Sequence, residues 1–338
     1  MKLIAAPMAT LSHEAFRILV ERFGGCDEYF TEMINASSLL CKGPFEDFYL
    51  INKTVPQKMV WQLTGSSANA MADAAKVLCK LGGRGIDLNF GCSAPQIYKT
   101  GAGIAWMTKP FSETLDLIKK VKAVLCIAEQ ESGEHKRLSV KCRLGDENFS
   151  ENNFFSFTDM LVENGVEMIT LHARTKKEKY RAIPRYEYVE RLALRYPEIS
   201  IVLNGCISDS ESAKNAIKIA PHISAIMIAR AAAQKPWIFA ELSAKVFGKE
   251  NLFEKQQVDA EKIALDFISD VEKFQPPEFY KTRLQRFFSY YCLNFSFAHY
   301  FKTQMLNAKT PEESRKTLAD YFLRCPNDKY LSVYKLKN

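Results

Sequence analysis

No run of about 18 or more apolar residues occurs anywhere in the chain, so no segment reads as a membrane-spanning helix. No Cys-x-x-Cys pair occurs either. The nine cysteines are odd in number and scattered. That pattern argues against a disulfide framework and against a zinc or iron–sulfur site, so no metal is expected and a reducing, cytoplasmic setting is. The opening Met1-Lys2-Leu3-Ile4-Ala5-Ala6-Pro7 is interrupted too soon to read as a signal peptide. No Gly-x-Gly-x-x-Gly follows the first strand-like run, which removes the main sign of a doubly wound dinucleotide fold. Internal repeats and low-complexity tracts are missing. Acidic residues are missing too from one long stretch, Phe279 to Pro311.

That stretch carries Lys281, Arg283, Arg286, Lys302 and Lys309 among many aromatics. A second basic cluster comprises Arg174, Lys176, Lys177, Lys179, Arg181 and Arg185. A charge run is usually a solvated face, and the net charge of +7 on 338 residues is moderate. Two basic clusters on one chain nevertheless suit a nucleic-acid partner. The aromatics Phe287, Phe288, Tyr290 and Tyr291 are expected to be core rather than stacking platforms.

The most telling segment runs from Leu88 to Gly103, LNFGCSAPQIYKTGAG. A short apolar run, Gly85 to Leu88, reads as a buried strand ending in Asn89 and a glycine-flanked Cys92. A thiol at a strand end, with glycines permitting close approach, reads as a reactive site. Around it, short β-branched runs alternate with amphipathic helices over residues 1–246. Strand candidates are Leu3–Ala6, Tyr29–Thr31, Met59–Leu63, Gly85–Asn89, Leu138–Arg143, Met168–His172, Ile201–Asn204 and Ala225–Ile228. Helices are expected after Ser67, after Ser112 as N-cap, and after Asp209 or Ser210. Eight such units predict an α/β fold, a (β/α)8 TIM barrel. Beyond residue 246 the strand signal stops. Ile263, Ala264, Phe267, Ile268 and Val271 mark one helix face, and a small all-helical C-terminal domain over 247–338 is expected. The polar patch Glu129–Arg137 reads as a surface loop.

In such a barrel, chemistry sits where strands end. The strand-end residues are Pro7-Met8-Ala9, Glu32, Gln62, Asn89 with Cys92, Lys141 with Arg143, His172 with Arg174, Asn204-Gly205 and Ala229-Arg230. The turns Asn204-Gly205-Cys206-Ile207 and Ile228-Ala229-Arg230-Ala231 follow the seventh and eighth strands, where phosphate-binding barrels hold their anion. With Lys141 and Gln62 available for a ring system, the set suits a flavin mononucleotide (FMN).

Taken in order, Ala6-Pro7-Met8 with Phe16-Arg17, QLTG at 62–65, DLNFGC at 87–92, KTGAG at 99–103, VKCRLG at 140–145, LHART at 171–175, LNGCI at 203–207 and MIARAA with Pro236-Trp237 resemble the tRNA-dihydrouridine synthases. Arg283 to Tyr291 resembles that family's C-terminal tRNA-binding helices. The resemblance implies a flavin-dependent reductase of the C5=C6 bond of uridines in tRNA, with FMN as cofactor and NADPH as usual hydride source. It implies cofactor contacts at Pro7, Met8, Ala9, Gln62, Lys141, His172, Asn204, Gly205, Cys206, Ala229 and Arg230. The catalytic acid would be Cys92. Asn89, Arg143, Arg174, Tyr180, Arg181, Lys281, Arg283 and Arg286 would face the tRNA. Three departures stand out: Ser93 where the family has proline, Cys206 where it has an acidic residue, and Ala229 where it has glycine.

The chemistry wants such a thiol. Hydride delivered to C6 of uracil leaves negative charge at C5 and O4, and C5 must then take a proton. A thiol, with a reference pKa of about 8.5, is mostly protonated at neutral pH and can give one. Two other readings compete. One is a flavin barrel reducing a free small molecule, a dihydropyrimidine or an enoate, for which a basic helical tail has no use. The other is a catalytically silent tRNA-binding protein, which has no use for Cys92 and Lys141. A monomer is expected.

Overall fold

The computed structural model describes residues 1–179, 181–249 and 257–333. Nine strands form its main sheet: β1 (Lys2–Ala5), β2 (Glu28–Phe30), β3 (Ile34–Asn35), β4 (Met59–Thr64), β5 (Gly85–Phe90), β6 (Arg137–Gly145), β7 (Met168–Thr175), β8 (Ser200–Asn204) and β9 (Ala225–Ile228). Every pairing is parallel. β1 pairs with both β2 and β9, and β2 with β4, so eight strands close into a barrel. The short β3 extends one wall, pairing Ile34 with Leu63 and Asn35 with Thr64. Each expected strand lies within a few residues of an observed one. β3 was not foreseen, because two residues carry no periodicity.

Strands buried on both faces need apolar side chains on both. Inside the barrel Ile4, Phe30, Val60, Met168, Val202 and Met227 pack as a separate core. Alternate residues face the surrounding helices. At the amino end of the strands, buried Glu28 accepts from Lys2 (3.1 Å) and Arg137 (2.6 Å). This charged floor leaves the carboxyl ends open for chemistry.

The helix over Ala68–Cys79 is capped by Ser67, and that over Ser210–Ile219 by Asp209, whose side chain accepts from Ser212 N–H. The helix expected behind Ser112 instead begins at Phe111, with Pro110 as N-cap. That helix runs to Ser132 and ends on left-handed Gly133. Of the polar patch Glu129–Arg137, the first four residues close this helix, 133–136 form a loop between helix and strand, and Arg137 opens β6.

In the C-terminal region, helices span Ala260–Phe274, Pro277–Tyr291, Ala298–Asn307 and Pro311–Arg324. The first buries Ile263, Ala264, Phe267, Ile268 and Val271, the expected face. A small antiparallel pair, β10 (Gln257–Asp259) with β11 (Tyr330–Ser332), joins the two ends of this region, which is therefore not all-helical as expected; strands of three residues carry no legible period. Phe287, Phe288 and Tyr291 are fully buried, as expected of core. The apolar core is continuous from the barrel's helical layer into these helices, and Arg22 on the barrel pairs with Asp266 and Asp270. Among the described residues no helix is long and apolar enough to cross a membrane.

Candidate active site

Side chains alternate along a strand, so residues two apart share a face. From the barrel interior, that rule carries inward-facing polar groups to the rim: Gln62 on β4, Asn89 on β5, Lys141 and Arg143 on β6, His172 and Arg174 on β7, and Asn204 on β8. Register sets them side by side. Asn89 lies opposite Lys141, Arg143 opposite His172, and His172 opposite Asn204.

Cys92 follows β5 and is half-buried. Its backbone N–H donates to Asn89 Oδ1 (2.9 Å), as does that of Gly91 (3.2 Å). Asn89 Nδ2 donates to Gln62 Oε1 (2.9 Å), and Gln62 Nε2 donates to Asp87 Oδ2 (2.7 Å). Ser139 supplies a hydroxyl to Asp87 Oδ1 (2.7 Å). Behind the loop Gly103, at φ +63°, fits where a Cβ would come within 2.5 Å of the Cys92 carbonyl oxygen. The close approach that its glycines permit is thus partly the chain's own, with Ile104 N–H donating to Cys92 O (3.0 Å). Arg143 is buried and donates to the carbonyls of Gly91 (3.0 Å), Thr175 and Lys179 (both 3.3 Å). It ties the Cys92 loop to the segment after β7.

Lys141 lies near Cys92 and close enough to Asp87 to feel its carboxylate. Burial, then the neighbouring Arg143, pushes its ammonium down to about 8. His172 is buried too, and burial followed by the charges of Lys141, Arg143, Arg174 and Arg230 pushes it down to about 2. It is therefore a neutral imidazole at physiological pH. Asn204 donates to Met227 O (2.8 Å), and Tyr186 holds the Gly205 carbonyl (2.6 Å). At Gly205, with φ +122°, a Cβ would come within 2.9 Å of the His172 ring. Cys206 is exposed in a left-handed conformation at φ +53°. Arg230 is exposed at the start of the short helix Arg230–Gln234, and Ala229 is half-buried before it. Across the rim, Ser12 clamps the Pro7-Met8-Ala9 turn, accepting from Met8 N–H and donating to Ala6 O (both 2.9 Å).

These residues fit a flavin mononucleotide. The Lys141 ammonium has no hydrogen bond to another described residue, and the hydroxyl of its register partner Thr170 is buried without one. Cations and amides on the rim suit ring carbonyls and a phosphate.

The residues expected to meet tRNA divide. Arg283 is a correction: it is only 2% exposed and donates to Glu32 at 2.5 Å and to Gln275 at 3.2 Å. It seats the helix Pro277–Tyr291 on the end of β2 and cannot reach a phosphate. Arg174 is a second correction. It too is 2% exposed, bonding Ala182 O (2.6 Å), His172 Nε2 (2.8 Å) and Cys206 Sγ (3.0 Å), so it serves the turn after β8. Asn89 is buried within its amide chain. Arg181 and Lys281 are exposed, and Arg286 is half-buried beside Tyr290, 5.3 Å from its ring centroid. Tyr180 lies outside the described residues. Asp87, Ser139 and Ser12 went unnoticed as site residues. Asp87 and Ser139 each stand two positions before a named residue, so the strand period alone would have found them.

The dihydrouridine synthase (Dus) family model matches residues 3–325. The tRNA-dihydrouridine synthase B of Pseudomonas syringae pv. tomato is 26% identical over 272 residues, covering 80% of this chain and 77% of that protein. The tRNA-dihydrouridine(20/20a) synthase of Synechocystis is 28% identical over 260 residues, covering 74% and 73%. The probable tRNA-dihydrouridine synthase of Rickettsia typhi is 30% identical over 242 residues, covering 71% and 69%. With the match running from β1 through the last long helix, the chain belongs to the dihydrouridine synthase family.

Proposed function

We propose that this protein is a tRNA-dihydrouridine synthase that reduces the C5=C6 bond of particular uridines in tRNA, holding FMN and drawing hydride from NADPH. The observation that carries the reading is the half-buried thiol of Cys92 at the end of β5, beside Lys141, in a rim of neutral amides and cations. Lys141 would hold the flavin ring; Gln62, fully buried with both ends of its amide bonded to Asp87 and Asn89, would support the rim rather than touch the ring. His172, Asn204, Gly205, Cys206, Ala229 and Arg230 would surround its phosphate, with Pro7, Met8 and Ala9 on the facing side. When bound, the reduced flavin supplies hydride to C6 of the uracil. Cys92 holds a proton at Sγ and delivers it to C5, so the double bond becomes single and the thiolate recovers its proton from solvent. Neutral His172 donates or accepts hydrogen bonds without adding charge beside the cofactor. The target base must leave its stack, at a cost of a few kcal/mol that is least in a loop. Exposed Arg181, Lys177, Lys179 and Lys281 would hold phosphates around it.

General acid catalysis contributes roughly 10²–10⁴ in rate. Cys92→Ala should lower dihydrouridine formation on unmodified tRNA by that factor while tRNA binding and flavin content stay near those of the parent protein. Unchanged turnover in the alanine variant would refute the assignment. Mapping dihydrouridine in tRNA from cells lacking the protein tests the activity itself.

A further inference from the structure

The chain of side chains Asp87–Gln62–Asn89 has a direction. Primary amides carry a donor at one end and an acceptor at the other, so each link dictates the next. Asp87 and Gln62 are fully buried, and Asn89 is nearly so. Burial pushes the Asp87 carboxyl up to about 6, against the bonds from Gln62 and Ser139 and the charge of Lys141. At neutral pH it is still ionised and can only accept. Gln62 must therefore turn Nε2 towards it and Oε1 towards Asn89. Asn89 must then turn Nδ2 towards Gln62 and Oδ1 outward, where the N–H groups of Gly91 and Cys92 converge.

We infer that Asp87 is a positioning residue for the reactive cysteine: as an obligate acceptor it orients two amides in series so that the last carbonyl captures the backbone N–H of Cys92. The inference rests on Cys92 being the reacting thiol, but its physical content concerns only the loop. Asp87 touches neither Cys92 nor any group proposed to react. It acts through Gln62 and Asn89, over a path that crosses from β5 to β4 and back. The arrangement also explains why a carboxylate is buried at this position. A buried donor would reverse both amides and leave two N–H groups facing an N–H₂, and unpaired buried polar groups are costly.

Two substitutions separate direction from charge or packing. Asp87→Asn keeps the shape but lets the amide present a donor to Gln62. The double variant Asp87→Asn, Gln62→Glu moves the obligate acceptor one link along. The new amide at position 87 then donates to the new carboxylate at position 62. That carboxylate accepts from Asn89, and Asn89 Oδ1 again faces Cys92. The readouts are amide hydrogen exchange at Gly91–Cys92 and the alkylation rate of Cys92 by iodoacetamide, followed by peptide mass spectrometry on the full chain as purified. Asp87→Asn should speed exchange at these two amides at least tenfold and shift the alkylation rate, and the double variant should return both to within threefold of the parent. Should Asp87→Asn fail to fold, the double variant must still fold with parental protection. Parental exchange in folded Asp87→Asn, or a double variant no better protected than the single one, would overturn the inference. Neither readout depends on what the site reduces, so dihydrouridine mapping can fail while this result stands, and the reverse.

Discussion

At the scale of single residues, His172 makes its surroundings measurable. Its folded value, about 2, lies below the ordinary imidazole value of 6.5, so below pH 6.5 the unfolded chain binds a proton that the folded chain refuses. Stability from this residue is complete above pH 6.5 and is lost as pH falls, by about 1.4 kcal/mol per pH unit. His172→Gln should therefore lose about 2 kcal/mol less than the parent between pH 6.5 and 5, measured by urea unfolding. Asp87 acts in the opposite sense, its raised carboxyl favouring the folded state as pH falls towards 4, but it is present in both proteins and cancels. Identical pH profiles would show that the imidazole is not buried neutral. The placement of Cys92 and Asn89 at the end of β5 was legible from sequence because glycines and a strand end bracket them. Arg283 and Arg174 were misread for the opposite reason. A cation's partner decides its role, and the partner of Arg283 is Glu32, 251 positions away.

Elements carry the second lesson. The eight barrel strands and the capped helices at Ser67 and Asp209 were readable because period and cap chemistry are local. What holds the helix Pro277–Tyr291 to the end of β2 was not, being a buried ion pair between distant elements. Glu32 is pushed up by burial, against the pull of Arg283 and Arg17. Removing one partner of such a pair strands the other and costs about 3–5 kcal/mol. Arg283→Met should show that loss in chemical denaturation at pH 7. The loss should shrink at pH 5, where the abandoned carboxyl takes up a proton. A methionine variant as stable as the parent would place Arg283 back on the surface.

Across the whole molecule, charge and core run separately. The basic stretch from Phe279 to Pro311 reads as one patch in sequence, yet folding turns Arg283 inward and leaves Lys281 outside. Each phosphate contact contributes nearly one to the slope of log affinity against log salt. Lys281→Ala should reduce that slope for tRNA by about one and leave thermal stability unchanged. An unaltered slope would remove Lys281 from the interface. That long helices follow the last barrel strand was legible, but not the continuous apolar core that joins them to the barrel, because pattern reports which face is buried and not against what.

That shared core has a mechanical corollary. Helices welded to the barrel's outer layer, with Arg22 and Glu32 as rivets, cannot swing as a loose arm to collect a substrate. The protein then offers a rigid jig, and the base extrusion proposed above would fall to the RNA.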